Sequence, residues 1–430
     1  MTISKRAPQY AGMNMKSAVE GQDSPAYQVM LVALLSISFG ILFFDRNSLA
    51  FLMPYVQPEL GLNNKQVGLL ASALSFTWAC AALGIGYISD KTGSRKGLLI
   101  IATIIFSVCS FLSGMAHTFV AMLGARMLMG VAEGGFMPIC QAMVAAEVKP
   151  KWRGLAMGVT QNFGSNFFGS FVAPVLLVGF AEAHGWRSAF FLAGAPGLVA
   201  AVLMWFMIRK PSVAPAPIAR EEKASGSLGI VIREPNVVLC AILSVLLVSY
   251  LVVCWTFMPL YLTQVRHFEK ETMGWLMGTL GISATIGAFV ISGLSDFVGR
   301  RPLMIVIPML GVLLPLGAMY YQGPPTVLAA FFFVGWGLNG IFPLFMATVP
   351  SESVDRVHMA TALGLCMGLG EFVGGAASPF IAGYFADLNG LQAPLWIMVG
   401  LTIVSGLIAF GVRETAPRVL ARRLARLEAT

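Results

Sequence analysis

The apolar run Val120–Pro138 carries two charges, Arg126 and Glu133. Seven residues make two helical turns, so the pair would share one face about 10 Å apart along the axis. Asp45, Arg46 and Glu371 stand in apolar runs of the same kind. A charge at mid-bilayer costs about 2.5–3.5 kcal/mol, so all five are expected to face a bundle interior or a wet cavity, where ionisable groups handle substrate or protons. Two arginines against three acids leave a formal −1. Protonating one acid gives neutrality, which is how a proton site would be built. Asp45 and Arg46 are adjacent and therefore about 100° apart on a helix. Arg46 is expected to face Glu133 or the cavity, and Asp45 to face Arg126. The plainer reading, static ion pairs tying helices together, is weak because buried pairs contribute little net stability.

The elements that must position these charges are membrane helices. The chain has 430 residues, 57% hydrophobic and 11% charged, with a mean hydropathy of +0.78. Soluble domains carry about 25% charged residues. Apolar runs near 20 residues predict an all-α protein with twelve spans, at about 28–53, 67–88, 98–116, 119–141, 155–180, 187–208, 237–262, 273–294, 302–321, 325–349, 358–385 and 393–413. The first is too long for the apolar core of a signal peptide, and the preceding residues are polar. A Pro-rich polar linker, 209–236, divides six spans (28–208) from six (237–413), with a tail at 1–27 and another at 414–430. Of the 28 Lys and Arg, 22 fall on one side of this arrangement and 4 on the other. That asymmetry predicts both termini in the cytoplasm of a cell-membrane protein. It also accounts for the net charge of +8 without nucleic acid. In the tail, Leu420, Leu424 and Leu427 face away from Arg418, Arg422 and Arg426, the pattern of a short interfacial helix. The six cysteines lie in apolar segments and form no CxxC pair. No metal cluster, nucleophile motif or cofactor loop stands at a span end, so neither enzyme nor cofactor is expected.

One loop occurs twice. Gly86–Lys96, with Gly86, Ser89, Asp90, Gly93 and Arg95, returns as 292–302, with Ser295, Asp296, Gly299 and Arg301, at a shift of 206. Each copy joins the second and third span of its half. Matching halves of six helices are a parallel repeat about an axis along the membrane normal. An Asp ending one helix and an Arg past a Gly turn can make charge-assisted contacts to a neighbouring helix end. Such contacts would latch one face closed and break when it opens.

On this doubled G-x-x-S-D-x-x-G-x-R loop the chain resembles the major facilitator superfamily over about 27–413. Phe297 stands where that family usually has a basic residue, so the second latch is expected to be weaker. Ala173-Pro174 replaces the Gly-Pro of the antiporter subgroup, which argues against drug/proton antiport. Phe-Phe-Asp45-Arg46 in the first span, Arg126-x-x-x-Gly130-x-x-Glu133 in the fourth and Arg153-Gly154 resemble the anion:cation symporter branch. The resemblance implies proton-coupled symport of an organic carboxylate by alternating access. Arg46 would bind substrate carboxylate, Asp45 and Glu133 would couple protons, and Arg126 would modulate the glutamate. Asn162, beside Gln161, falls near a substrate-binding amide. Phe43 and Cys80 replace tyrosines of sugar-acid members, and Glu371 stands where an Asn is usual. The expected substrate is therefore a less hydroxylated acid, aromatic or short aliphatic, with an amino or ring-nitrogen group as one possibility. Trp78, Tyr250, Trp255, Tyr261 and Trp336 are candidates to line the cavity, with Trp255 taken as a substrate contact. A monomer is expected. An exchanger or uniporter of the same fold is the alternative.

Overall fold

The structure, a computed structural model, describes residues 24–92, 94–209, 227–355 and 358–421. Most of the linker and the end of the basic tail, including Arg422, Leu424, Arg426 and Leu427, lie outside them. Among the described residues the regular secondary structure is helical throughout. The long helices are α1 Pro25–Leu60, α2 Asn64–Thr92, α3 Arg95–Gly114, α4 Phe119–Glu147, α5 Leu155–His184, α6 Trp186–Met207, α7 Pro235–Val265, α8 Lys270–Val298, α9 Arg300–Tyr320, α10 Pro325–Glu352, α11 Thr361–Asn389 and α12 Gln392–Ala409. Eleven of these are long and apolar enough to cross a membrane. The other, α2, is 29 residues long and packs between them.

Most helices outrun their apolar runs, because capping chemistry rather than hydropathy ends them. Ser24 accepts a hydrogen bond from the Tyr27 amide ahead of Pro25, and Gly61 closes α1 at φ 60°. Thr118 caps α4 through the Ala121 amide. These are ordinary N-cap, N1-proline and left-handed C-cap devices. Inside the bundle, small residues let backbones touch. A Cβ on Gly130 of α4 would fall onto Thr77 and the Leu74 carbonyl of α2, and one on Gly164 of α5 onto the Ser36 carbonyl of α1.

The packing repeats under a shift of six helices. In the first half α1 packs on α5 and α6, α2 on α4, and α3 on α6; in the second, α7 packs on α11 and α12, α8 on α10, and α9 on α12. The contacts between halves are also exchanged by that shift: α2 meets α11 as α8 meets α5, and α1 meets α7.

Those contacts are sealed at the end away from the start of α1. Asp387 of α11 accepts the Asn64 amide at 2.8 Å and the Lys65 amide at 2.9 Å, both at the start of α2. Gln264 of α7 donates to Gln57 of α1 at 2.8 Å. The Phe380 amide donates to Ser72 at 3.1 Å.

Candidate functional site

Behind this seal lies a cavity of about 480 Å³ lined by both halves. Its size is that of a small-molecule site. From α1 come Phe43, Arg46 and Asn47; from α2, Ser75 and Trp78; from α5, Gln161, Ser165 and Asn166. The second half contributes Trp255, Asn339, Met346 and Glu371.

Arg46 links this space to buried charge. Its side chain is 16% exposed, and Nη1 lies 3.4 Å from Oε2 of a Glu133 that is closed off from solvent. Its guanidinium stands 5.2 Å from the Trp78 ring and 5.7 Å from Phe43, positions suited to cation–π attraction. Asp45, the preceding residue, lies about 100° around the helix, wholly buried, and neither of its carboxylate oxygens finds a donor among the described residues. Ser110 stands beside it but gives its hydroxyl to the Phe190 carbonyl at 2.9 Å.

Arg126 is buried within reach of Asp45 and Glu133, outside direct ion-pair distance of either among the described residues. Its Nη1 points to the Arg46 carbonyl at 3.4 Å and the Met129 sulfur at 3.5 Å, and its plane sits 5.3 Å from the Phe190 ring. Nε and Nη2 find no hydrogen-bond partner among the described residues, nor does Oε1 of Glu133. An unmade buried hydrogen bond costs about 1–3 kcal/mol, more for charged groups. A cluster with several is a poor structural tie. It is well suited to exchanging protons and partners.

Gln161 is exposed to the cavity and Trp255 forms part of its wall, edge-on to Trp336 at 5.2 Å. For Asn162 the structure describes the backbone alone. Tyr250, Tyr261 and Trp336 are buried at 0–1% exposure and line no part of the cavity. Tyr250 instead donates to the Gly311 carbonyl at 2.9 Å, tying α7 to α9. Phe43 is in the wall, whereas Cys80 is exposed outside it. The uncharged polar lining, Asn47, Ser75, Asn166 and Asn339, was not evident in the sequence. For Asn166 the reason lies in the local winding. In a stretch wound with i→i+5 bonds, residues five apart approach one face, and Gln161 and Asn166 lie on the π-wound Val159–Phe163 and Ser165–Val172.

The doubled loops act inside each half. Arg95 reaches the Ala142 carbonyl at 3.4 Å, and Lys96 caps the end of α6 through the Trp205 and Ile208 carbonyls, each at 2.6 Å. In the second copy Arg301 donates to the Phe410 carbonyl beyond α12 at 2.8 Å. The partner of Asp296 is Arg300, at 2.6 Å, and Arg300 also bridges to Glu352 of α10 at 3.1 Å. Gly299 takes φ 116°, leaving room for Glu414 to accept the Arg300 amide at 2.8 Å and the Arg301 amide at 3.2 Å. Gly93 lies outside the described residues, and Gly86 and Asp90 are described by backbone alone.

Comparison with known proteins matches residues 35–270 and 251–427 to the family described as the Major Facilitator Superfamily. A probable sulfoacetate transporter of Cupriavidus necator is 24% identical over 88% of this chain and 92% of its own. A probable 4-methylmuconolactone transporter of Cupriavidus pinatubonensis is 27% identical over 77% and 78%. A hexuronate transporter of Bacillus subtilis is 29% identical over 63% and 65%. Among solved structures, a bacterial homologue of the human lysosomal transporter Spinster, inward-facing and occupied, superposes with a TM-score of 0.73 at 16% identity, covering 90% of this chain and 97% of that one. At that identity the likeness concerns the fold.

Proposed function

The chain belongs to the Major Facilitator Superfamily, and on that premise we propose that it takes up a small organic carboxylate together with protons by alternating access. It is a multi-pass secondary transporter and not an enzyme. Its relatives named for sulfoacetate, hexuronate and galactonate support an organic acid as cargo. The observation that carries the reading is Arg46, which is ion-paired to the buried Glu133 and at the same time faces the cavity.

In this reading the anion docks on Arg46, with Gln161 and Asn162 orienting it. Its arrival competes with Glu133 for the guanidinium, and a proton on Glu133 releases Arg46 to the substrate. Asp45 and Arg126 form the second acid and its modulator. Neutralised, the halves rock about the central site. Loss of proton to the cytoplasm restores the Arg46–Glu133 pair and expels the anion. The 22-to-4 charge asymmetry supports cytoplasmic termini in the cell membrane, with the sealed end of the bundle facing out. The aromatic wall of Phe43, Trp78 and Trp255 favours an aromatic or short aliphatic acid over a polyol acid.

The test is uptake into proteoliposomes holding purified protein. An inward proton gradient should drive a labelled carboxylate above its external concentration. Uptake that needs internal anion and ignores the gradient would mark an exchanger. Preference for gluconate-like acids would refute the substrate assignment. Arg46→Ala should weaken carboxylate binding at least about tenfold, the scale of a lost charge-assisted hydrogen bond. Unchanged binding moves the site elsewhere.

A further inference from the structure

We propose that Glu371 is the second anchor of the transport site and holds a cationic nitrogen, so that the substrate is a zwitterion whose carboxylate rests on Arg46. This builds on the carboxylate reading above and names the chemical class within it.

Three ionisable side chains line the cavity among the described residues: Arg46, Arg126 and Glu371. The arginines stand with acids of their own half. Arg46 pairs with Glu133, and Arg126 lies within reach of both Asp45 and Glu133. Glu371 enters from the other half, on the π-wound stretch Gly370–Gly375 of α11. Among the described residues it forms no ion pair, and it lines the same cavity as Arg46. Its near surroundings are small: a Cβ built on Gly375 would stand 3.3 Å from Glu371 Oε2 and 3.8 Å from Ser75 Oγ. A carboxylate kept for packing would be hydrogen-bonded. This one is held at the cavity wall with space in front of it.

An anion seated on Arg46 shares that space with Glu371. A simple monocarboxylate would meet a second negative charge there, in a site with largely apolar walls, where like charges are costly. A cationic nitrogen on the same molecule turns repulsion into attraction, and the indole faces of Trp78 and Trp255 favour a ring or quaternary nitrogen. Such a substrate would join α1 of one half to α11 of the other. Its binding would therefore report on the distance between halves, which a carboxylate held by Arg46 alone does not.

The experiment uses isosteric pairs that differ only by the positive charge: N-methylpyridinium-3-carboxylate against 3-methylbenzoate, and glycine betaine against 3,3-dimethylbutanoate. Binding of each is measured on purified full-length protein and on Arg46→Ala and Glu371→Gln. The wild type should prefer the cationic member of at least one pair by about tenfold, the order of a measured close charge pair, and Glu371→Gln should abolish or reverse that preference. Equal or better binding of the uncharged member by wild type overturns the proposal, whether or not the variant folds. So does a preference that survives in folded Glu371→Gln. In either case, binding that Arg46→Ala abolishes leaves the carboxylate reading standing. If no acid of either kind binds, or none depends on Arg46, that reading fails and this one with it.

Discussion

Glu133 gives one oxygen to Arg46 and leaves the other without a protein donor, deep in the bundle. That arrangement separates two functions of the residue. As a charge it holds Arg46 back from the cavity; as a proton carrier it lets Arg46 go. Glu133→Gln keeps the shape and removes the titration. Proton-driven accumulation should vanish while counterflow exchange of the same acid continues, read as labelled uptake into liposomes preloaded with unlabelled substrate. Undiminished uphill uptake in that variant would remove Glu133 from coupling. The charged cluster was conspicuous in the sequence because lipid makes intramembrane charge expensive, so Arg126 and Glu133 stand out of a run of apolar neighbours. Asn47, Asn166 and Asn339 carried no such signal. An amide costs far less than a charge to bury, and its role depends on which way the helix turns it.

Span positions were legible for the same reason: some twenty apolar residues have one use. Their ends were not, because an end is chosen by a cap. α9 illustrates this. Gly299 at φ 116° and Glu414, more than a hundred residues later, together satisfy the first amides of the helix, and a negative charge there also opposes the helix dipole favourably. Hydropathy cannot show a partner so distant. The repeated loop did show that Gly299 matters, but not that it makes room for a carboxylate. A methyl group at 299 faces both a positive φ and Glu414. Gly299→Ala should cost about 1–3 kcal/mol, the scale of a strained backbone position, and lower the thermal midpoint of the purified protein. Glu414→Ala, losing the cap without the strain, should cost about 1 kcal/mol. An unshifted midpoint for Gly299→Ala would mean that the turn relaxes without it.

At the scale of the whole molecule, the doubled loops turn out to brace helices within their own halves, as Lys96 does for α6 and Arg301 for the end of α12. The seal seen here lies at the opposite end from these loops, where Asp387 of one half sits on the opening amides of α2 in the other. An acid on a helix N-terminus contributes about 0.3–1 kcal/mol, and up to about 2 when partly buried. A two-state equilibrium responds to that: about 1.4 kcal/mol is a tenfold change in population. If the halves rock as rigid bodies, these contacts must all part when the sealed end opens, including Gln57 with Gln264. Cysteines introduced by Gln57→Cys and Gln264→Cys should therefore be joined by a short bis-methanethiosulfonate linker, and the cross-linked protein should bind substrate but not transport it until the linker is reduced. Adding Asp387→Ala should lower the rate of cross-linking several-fold by shifting molecules to the open form. Transport that continues in the cross-linked protein would mean that this end need not part, and that the halves do not exchange access by rocking about the cavity.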